Sequence, residues 1–402
     1  MDYSMFTHDE KLKNILTIAK TYVPYYIPLE NIDETNLNTF PIITREKILE
    51  KKTVFISNKY TMYDVKQMLC FRTSGTSTSQ PLEIYWKQED YLRSSYCIWK
   101  LRKKWYNINI NDKYVCFHTD TYSWNKAYSE EQPYIITQNN LSLNVRNLNE
   151  DKLKKFCLII EKYKPRWIQF IPSIALKFVE YMTKNHIKPF KSVEYIEYNG
   201  ETLMNSTRKN IDEFFGVKSA NLYGSMEVNA IAYECPHHNM IVIKDNVFIE
   251  ANFGKIFVTS LQNTVFPFIR YDLGDQIEML PATCRCGDGN EIISKIYGRT
   301  TSTIQIEKFS LTEAFAAYCI DIINGRLCNI IQQYQFIKLN GCWCLQLYVL
   351  PKFLGWEEAI IQTTLEILKN KKIYLNKQNI IIVYKPIFNS NKKATIFNFE
   401  YK

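Results

Sequence analysis

Apolar positions change their spacing several times along this chain, and each change marks an element. Residues Glu10–Tyr22 and Thr44–Lys51 carry apolar side chains at helical intervals, as do Asp90–Trp105 and Asp151–Tyr163. The last of these should stop at Lys164-Pro165, because proline disfavours a helical residue before it. Between and after them come short apolar runs with strand character: Tyr114–His118, Trp167–Pro172, Val193–Gly200 and Ser219–Gly224. Helices should follow two of these strands, one capped by Ser173 and one closed by Gly216. Strand and helix in alternation predict a parallel α/β layer. After Ile241 the pattern shifts to short strands alone, Asn246–Ala251, Gly254–Leu261 and Pro267–Leu280, which predicts a β region appended to the α/β core. Beyond residue 300 the order becomes helix (Leu311–Ile323), hairpin turning at Asn340-Gly341, helix (Glu357–Leu368) and strand. That order suits a small separate α/β domain, and the expected division is 1–297 and 298–402.

Composition excludes more than it assigns. With 46% hydrophobic and 23% charged residues the chain reads as globular. It has no stretch of about 18 apolar residues to span a membrane and no signal-peptide pattern at its start. The net charge of +9 is spread rather than gathered into a patch, which argues against nucleic acid and fits an anionic small molecule or an acidic partner. The 11 cysteines are odd in number and scattered, so a reducing cytoplasm is expected.

Five segments carry candidate chemistry. The hydroxyl-rich turn Thr73-Ser74-Gly75-Thr76-Ser77-Thr78-Ser79-Gln80-Pro81 could cradle phosphates on backbone N–H groups. Tyr198-Asn199-Gly200-Glu201 and Tyr223-Gly224-Ser225-Met226-Glu227 end predicted strands, where open parallel sheets bind ligands. A carboxylate such as Glu227 can hold Mg²⁺ on phosphates, or serve only a helix N-terminus. Tyr271-Asp272-Leu273-Gly274-Asp275 offers a carboxylate on a tight turn that could take two ribose hydroxyls. Gly298-Arg299 adds a planar guanidinium.

The order and spacing of these segments resemble the adenylate-forming superfamily. The stretch GKIFVTSLQNTVFPFIRYDLGDQIEMLPATCRCG followed by KIYGRTTSTIQI resembles its phenylacetate–CoA ligase branch. The resemblance covers residues 65–305 well and the ends more loosely. It implies an α/β fold: a large adenylate-forming N-terminal domain with an appended β region, and a small mobile C-terminal lid. It implies ATP, Mg²⁺ and a carboxylic acid as reactants, forming an acyl-adenylate, then transfer to CoA or an acyl carrier protein. A non-catalytic or amide-forming homologue is the alternative, and a homodimer stays open. By this resemblance Thr73, Ser74, Gly75 and Thr76 form the phosphate loop. Gly200 and Glu201 lie along adenine, and Tyr223 with Gly224 meets the base. Glu227 binds Mg²⁺, while Asp275 and Arg299 hold ribose. Lys393, with Lys392 beside it, completes the site near the C-terminus, and Glu227, Thr73 and Lys393 are its catalytic set. His118, Phe170, Pro172, Ser173, Tyr198 and Asn199 are expected to wall the acid pocket, an aryl or small acid being anticipated. The chain departs from the pattern in its phosphate loop, which lacks a second glycine and a lysine, and in Thr300–Thr303, where acidic hinge residues usually stand.

A metal site is also expected. Cys235-Pro236-His237-His238 and Cys284-Arg285-Cys286 give two close pairs of soft ligands, suited to tetrahedral structural Zn²⁺ through Cys235, His238, Cys284 and Cys286, with His237 the other candidate.

Overall fold

The computed structural model describes residues 7–73, 81–118, 122–123, 126–127, 132–252, 254–281, 284–286, 290–299, 303–307, 309–328, 330–387 and 396–398. Two compact units emerge, one built from residues 1–109 and 222–296, the other from 110–221 and 297–402.

The first unit opens on helix His8–Tyr22, started by Thr7, whose hydroxyl accepts from the Glu10 N–H while the Glu10 carboxylate accepts from the Thr7 N–H. Ile15, Leu16 and Ala19 bury one stripe of this helix. Its sheet is mostly antiparallel and runs in the order Val247–Asn252, Lys255–Ser260, Tyr271–Leu280, Ile292–Arg299, Met240–Val242, Asn229–Glu234 and the second half of Lys218–Ser225. This is the β region anticipated after Ile241. A hairpin of Leu69–Arg72 with Glu83–Trp86 flanks the expected phosphate loop. The long helix Gln88–Tyr106 ends at Asn107 in the left-handed region, which asparagine tolerates.

In the second unit the strands pair in parallel: Lys218–Asn221 with Tyr195–Tyr198, that with Trp167–Phe170, then Tyr114–His118 and Asn140–Asn144, with Tyr134–Ile136 antiparallel at the edge. Side chains alternate across such a sheet. Ile168, Phe170, Ile196, Tyr198, Val115 and Leu143 therefore share one face and form a core with helices Glu150–Tyr163, Pro172–Lys184 and Asn205–Phe215. The other face carries Cys116, Asn140, Ser142, Gln169 and Glu197, all polar or sulfur-bearing, and Gln169 donates to the fully buried Glu197 carboxylate at 2.7 Å.

The C-terminal part of this unit has its own core around Leu311, Ile323, Leu345 and Leu347. Helices Glu313–Arg326 and Glu357–Asn370 pack with a sheet ordered Ile380–Val383, Cys342–Val349, Ile331–Leu339 and Phe397–Asn398. Asn340 and Gly341 both have positive φ and join Leu339 to Cys342 across a two-residue turn, as the sequence predicts. A small hairpin, Thr303–Ile306 with Phe309–Thr312, precedes the first helix and was not anticipated. This part meets helix Asn205–Phe215 through buried polar groups. Ser206 Oγ donates to the Ile331 carbonyl at 2.6 Å and Thr207 Oγ1 to that of Gln332 at 3.0 Å, while Asn324 Nδ2 donates to Ser206 Oγ at 3.4 Å.

Among the described residues no helix is long and apolar enough to cross a membrane.

Candidate functional site

In the first unit, residues 43–45 lie along strand Tyr271–Leu280. Ile43 N–H donates to the Arg270 carbonyl and Asp272 N–H to that of Ile43. The short helix Arg45–Glu50, capped by Thr44, begins there and turns the Arg45 guanidinium inward. Arg45 Nη2 donates to Thr73 Oγ1 at 2.8 Å, and Nη1 stands 3.7 Å from Glu227 Oε1. Tyr271 Oη donates to the same Oε1 at 3.2 Å. Arg45, Thr73, Glu227 and Tyr271 are all buried. Thr73 is fixed a second way, its N–H donating to the Leu82 carbonyl and its hydroxyl accepting from the Leu82 N–H, both at 3.0 Å. The base of the expected phosphate loop and the expected metal-binding carboxylate are thus joined by one arginine. Sequence reading missed Arg45 and Tyr271. Nothing in a lone arginine after a threonine announces a buried role, and Tyr271 passed as the neighbour of a more conspicuous aspartate.

In the same unit, Tyr223 Oη donates to Asp275 Oδ2 at 2.7 Å, so two residues expected at the nucleotide are in direct contact. The strand register shifts between Tyr223 and Gly224. A Cβ at Gly224 would lie 2.5 Å from the Asn229 carbonyl oxygen, closer than any side chain allows, and this explains the glycine.

The second unit holds the other strand-end segment. Gly200 turns the chain with φ at 81° after strand Tyr195–Tyr198, and Glu201 reaches back to the next strand-to-helix turn. Its carboxylate accepts from Ser173 N at 3.0 Å and from Ser173 Oγ at 2.9 Å. Ser173 therefore does not cap helix Pro172–Lys184 as expected. The cap position is Ile171, Pro172 fills the first turn, and the Glu201 carboxylate takes the free N–H from outside. Asn199 N–H donates to the Phe170 carbonyl at 3.0 Å, binding the two strand ends together.

Two of the expected wall residues belong elsewhere. Phe170 and Tyr198 have no exposed surface, because strand alternation sends them to the helix-covered face. Tyr198 Oη donates to Asp212 at 2.7 Å, and burial, then Asp212, raise its phenol well above the usual range. Pro172 and Ser173 are buried in the first helical turn, Asn199 is half-buried, and His118 ends its strand beside Cys116. Ser74, Gly75, Thr76, Lys392 and Lys393 lie outside the described residues. For Gly298 and Arg299 only the backbone, closing strand Ile292–Arg299, is described.

The metal candidates also gather in the first unit. Cys235, His237, Cys284 and Cys286 place one ligand atom each within 4.8 Å of one another. Cys235 Sγ and Cys284 Sγ are 3.6 Å apart, and His237 Nδ1 is 2.9 Å from Cys286 Sγ. Thiolates bound to zinc at about 2.3 Å in a tetrahedron stand just under 4 Å apart, so the set fits Zn²⁺. The histidine is His237 rather than His238. His238, at positive φ in the turn, directs Nδ1 to the buried Glu234 carboxylate at 2.8 Å. Trp105, stacked on Tyr233 with centroids 5.8 Å apart, packs against the buried cluster of Cys235, Ile241, Cys284 and Ile292, as Cys286 does.

No family model matches the chain. It is 26% identical over 183 residues to the phenylacetate–coenzyme A ligase of Thermus thermophilus, a stretch covering 41% of each chain. It is 23% identical over 327 residues to Protein CapK of Staphylococcus aureus, covering 77% of this chain and 68% of that one. Among solved structures, 2-hydroxyisobutyryl-CoA ligase in its postadenylation state, in complex with R3-HIB-AMP, superposes with a TM-score of 0.76 at 12% identity, covering 98% of this chain and 89% of that one. The mixed α/β architecture with its parallel strands is therefore the one found in adenylate-forming enzymes.

Proposed function

We propose that this chain, which belongs to the phenylacetate–CoA ligase-like branch of the adenylate-forming superfamily, uses ATP to activate a carboxylic acid as its acyl-adenylate and then passes the acyl group to a thiol. The observation that carries this reading is the Arg45 group: the phosphate-loop threonine and the strand-end glutamate, distant in sequence, are held by one guanidinium, with Tyr223 and Asp275 paired in the same unit. The substrate carboxylate would attack the α-phosphorus of ATP and pyrophosphate would leave. Such a step needs positioning and charge neutralisation rather than a covalent role for the protein. Thr73 and the following loop would hold the phosphates, Tyr223 and Asp275 the nucleoside, and Lys393 the oxygens at the reacting phosphorus. Among the described residues Glu227 meets Tyr271 and Arg45 through Oε1, and Oε2 would be the oxygen offered to Mg²⁺. Mg²⁺, when bound, would neutralise charge on the phosphates. Cys235, His237, Cys284 and Cys286 would hold Zn²⁺ in a closed, structural site. We take residues 298–402 as the lid and 1–297 as the core, an aryl or small aliphatic acid as the substrate, and CoA or a carrier phosphopantetheine as the acceptor.

The test is pyrophosphate release from Mg²⁺-ATP across a panel of aryl and short aliphatic acids, without thiol. One responsive acid class, silenced by Glu227→Gln and slowed by Lys393→Ala, is the expected result. CoA, carrier protein and amines added separately then identify the acceptor. ATP binding with no pyrophosphate release for any acid would overturn the reading in favour of a non-catalytic nucleotide-binding protein.

A further inference from the structure

Strands Tyr114–His118 and Asn140–Asn144 run parallel, with Cys116 opposite Ser142 and Tyr114 opposite Asn140. Cys116 and His118 are two residues apart and share the face turned away from the apolar core, which Val115 and Phe117 enter. Three polar groups converge on one sulfur. His118 Nε2 lies 3.2 Å from Cys116 Sγ, Ser142 Oγ lies 3.4 Å from it, and Asn140 Nδ2 donates to it at 3.1 Å. Cys116 is 7% exposed, Asn140 4%, and Ser142 is fully enclosed. A neutral thiol is a weak acceptor and gains little from three donors, whereas a charged sulfur can accept from all of them. Asn140 Oδ1 is also buried, without a hydrogen-bond partner among the described residues, which leaves an orphan acceptor inside the same cluster.

We propose that Cys116 is a nucleophilic thiolate paired with the protonated imidazole of His118, and that it is a covalent modification site for small soft electrophiles and hydrogen peroxide. Burial by itself pushes this thiol up. The hydrogen bond and charge of His118, then Ser142 and Asn140, outweigh burial, and the net direction is down. From the packed helix Glu150–Tyr163 the titratable group that interacts with it is Tyr163, whose phenol burial pushes up to about 12, with the Cys116 charge adding to the rise. Tyr163 is therefore neutral at ordinary pH, and the cation over its ring, 5.2 Å away, is Lys113. The pairing resembles that of a reactive cysteine, in which a neighbouring histidine keeps sulfur ionised.

The chemistry balances without further groups. With iodoacetamide, sulfur displaces iodide at carbon, one S–C bond forming as one C–I bond breaks. With hydrogen peroxide, sulfur attacks one oxygen and the O–O bond breaks. Hydroxide leaves and takes the His118 proton to become water, sulfur being oxidised by two electrons to the sulfenic acid as the peroxide is reduced. Enclosure of the sulfur restricts the reagents to small ones. This site stands independently of the adenylation reading.

The experiment is peptide-resolved mass spectrometry of iodoacetamide labelling in the native full chain, with the exposed Cys328 and Cys342 as internal references. The readout is each site's rate at pH 8 divided by its rate at pH 6, a ratio in which accessibility cancels. An ordinary thiol of pKa about 8.5 gives roughly 80-fold, from its thiolate fractions at the two pH values. Cys116 is expected to change by less than about fivefold, and His118→Gln to restore a steep ratio. Trapping with dimedone after peroxide treatment at neutral pH should mark Cys116 ahead of Cys342. A Cys116 ratio as steep as that of Cys342 overturns the proposal. So does absence of labelling at pH 8 in the native chain when the unfolded chain labels fully. The wild-type ratio decides the matter even if His118→Gln fails to fold.

Discussion

Replacing Arg45 with methionine should destabilise the first unit by about 3 kcal/mol. The substitution keeps most of the apolar stem and removes the guanidinium. Two losses follow. The 2.8 Å hydrogen bond to Thr73 Oγ1 has a charged donor, a type worth about 1.5–3 kcal/mol. The Glu227 carboxylate, with a side chain only 7% exposed, loses its counter-charge, and breaking a buried pair from one side costs about 3–5 kcal/mol. The lower end applies because Nη1 stands 3.7 Å from Oε1, beyond hydrogen-bond reach, and because Tyr271 still donates to that oxygen. The two losses overlap, so they do not sum. For a domain of roughly 150–250 residues, about 3 kcal/mol lowers Tm by about 6–12 °C. The assay is a double-mutant cycle in urea with Glu227→Gln, which neutralises the carboxylate while keeping an acceptor for Tyr271. In the Glu227→Gln background, Arg45→Met should cost at least about 1 kcal/mol less than in the parent, since no unpaired charge remains. Costs additive within about 0.5 kcal/mol would refute a direct Arg45–Glu227 interaction and with it the idea that this arginine ties the loop to the strand end.

Metal content separates the two histidines: the purified chain should carry one Zn²⁺, with His237→Ala losing it and His238→Ala retaining it, as read by elemental analysis. Removal of that zinc by a chelator should lower Tm by several degrees, because the turn at Cys235 would lose its link to the Cys284–Cys286 segment. Glu180 should make stability fall with rising pH. Burial pushes its carboxyl up to about 7, a rise that Lys177 only partly offsets, and Oε1 has no hydrogen-bond partner among the described residues. A carboxyl raised in the folded state contributes stability that is complete below the unfolded value of about 4.3 and is lost as pH climbs through about 7. Glu180→Gln should therefore be more stable than the parent at pH 8, with the difference gone near pH 4. Urea midpoints at the two pH values check this, and a difference that persists at pH 4 would count against it.

Much of this architecture was legible because it follows from periodicity. The buried strands around Trp167 and Tyr195, the amphipathic helix ending at Tyr163 and the Asn340-Gly341 turn each write a local pattern that physics permits in few ways. The candidate site was legible only where residues cluster in sequence, as at Tyr223–Glu227 and the two cysteine segments. What stayed hidden was long-range pairing. Arg45 takes its meaning from Thr73 and Glu227, and Ser173 takes its partner from Glu201. Phe170 and Tyr198 were misplaced for a related reason. A strand end near a ligand and a strand face toward a core differ by one residue of register, and the aromatic side chains followed the face.

The join between helix Asn205–Phe215 and strand Ile331–Leu339 is stitched with hydroxyls, amides and carbonyls. Each such bond is worth only about 1 kcal/mol net, because water offers the same partners once the groups part. An oily join would hold by the area it hides and would resist opening in proportion. A polar join behaves more like a zip, secure while every tooth is engaged and cheap to reopen once the first few are wet.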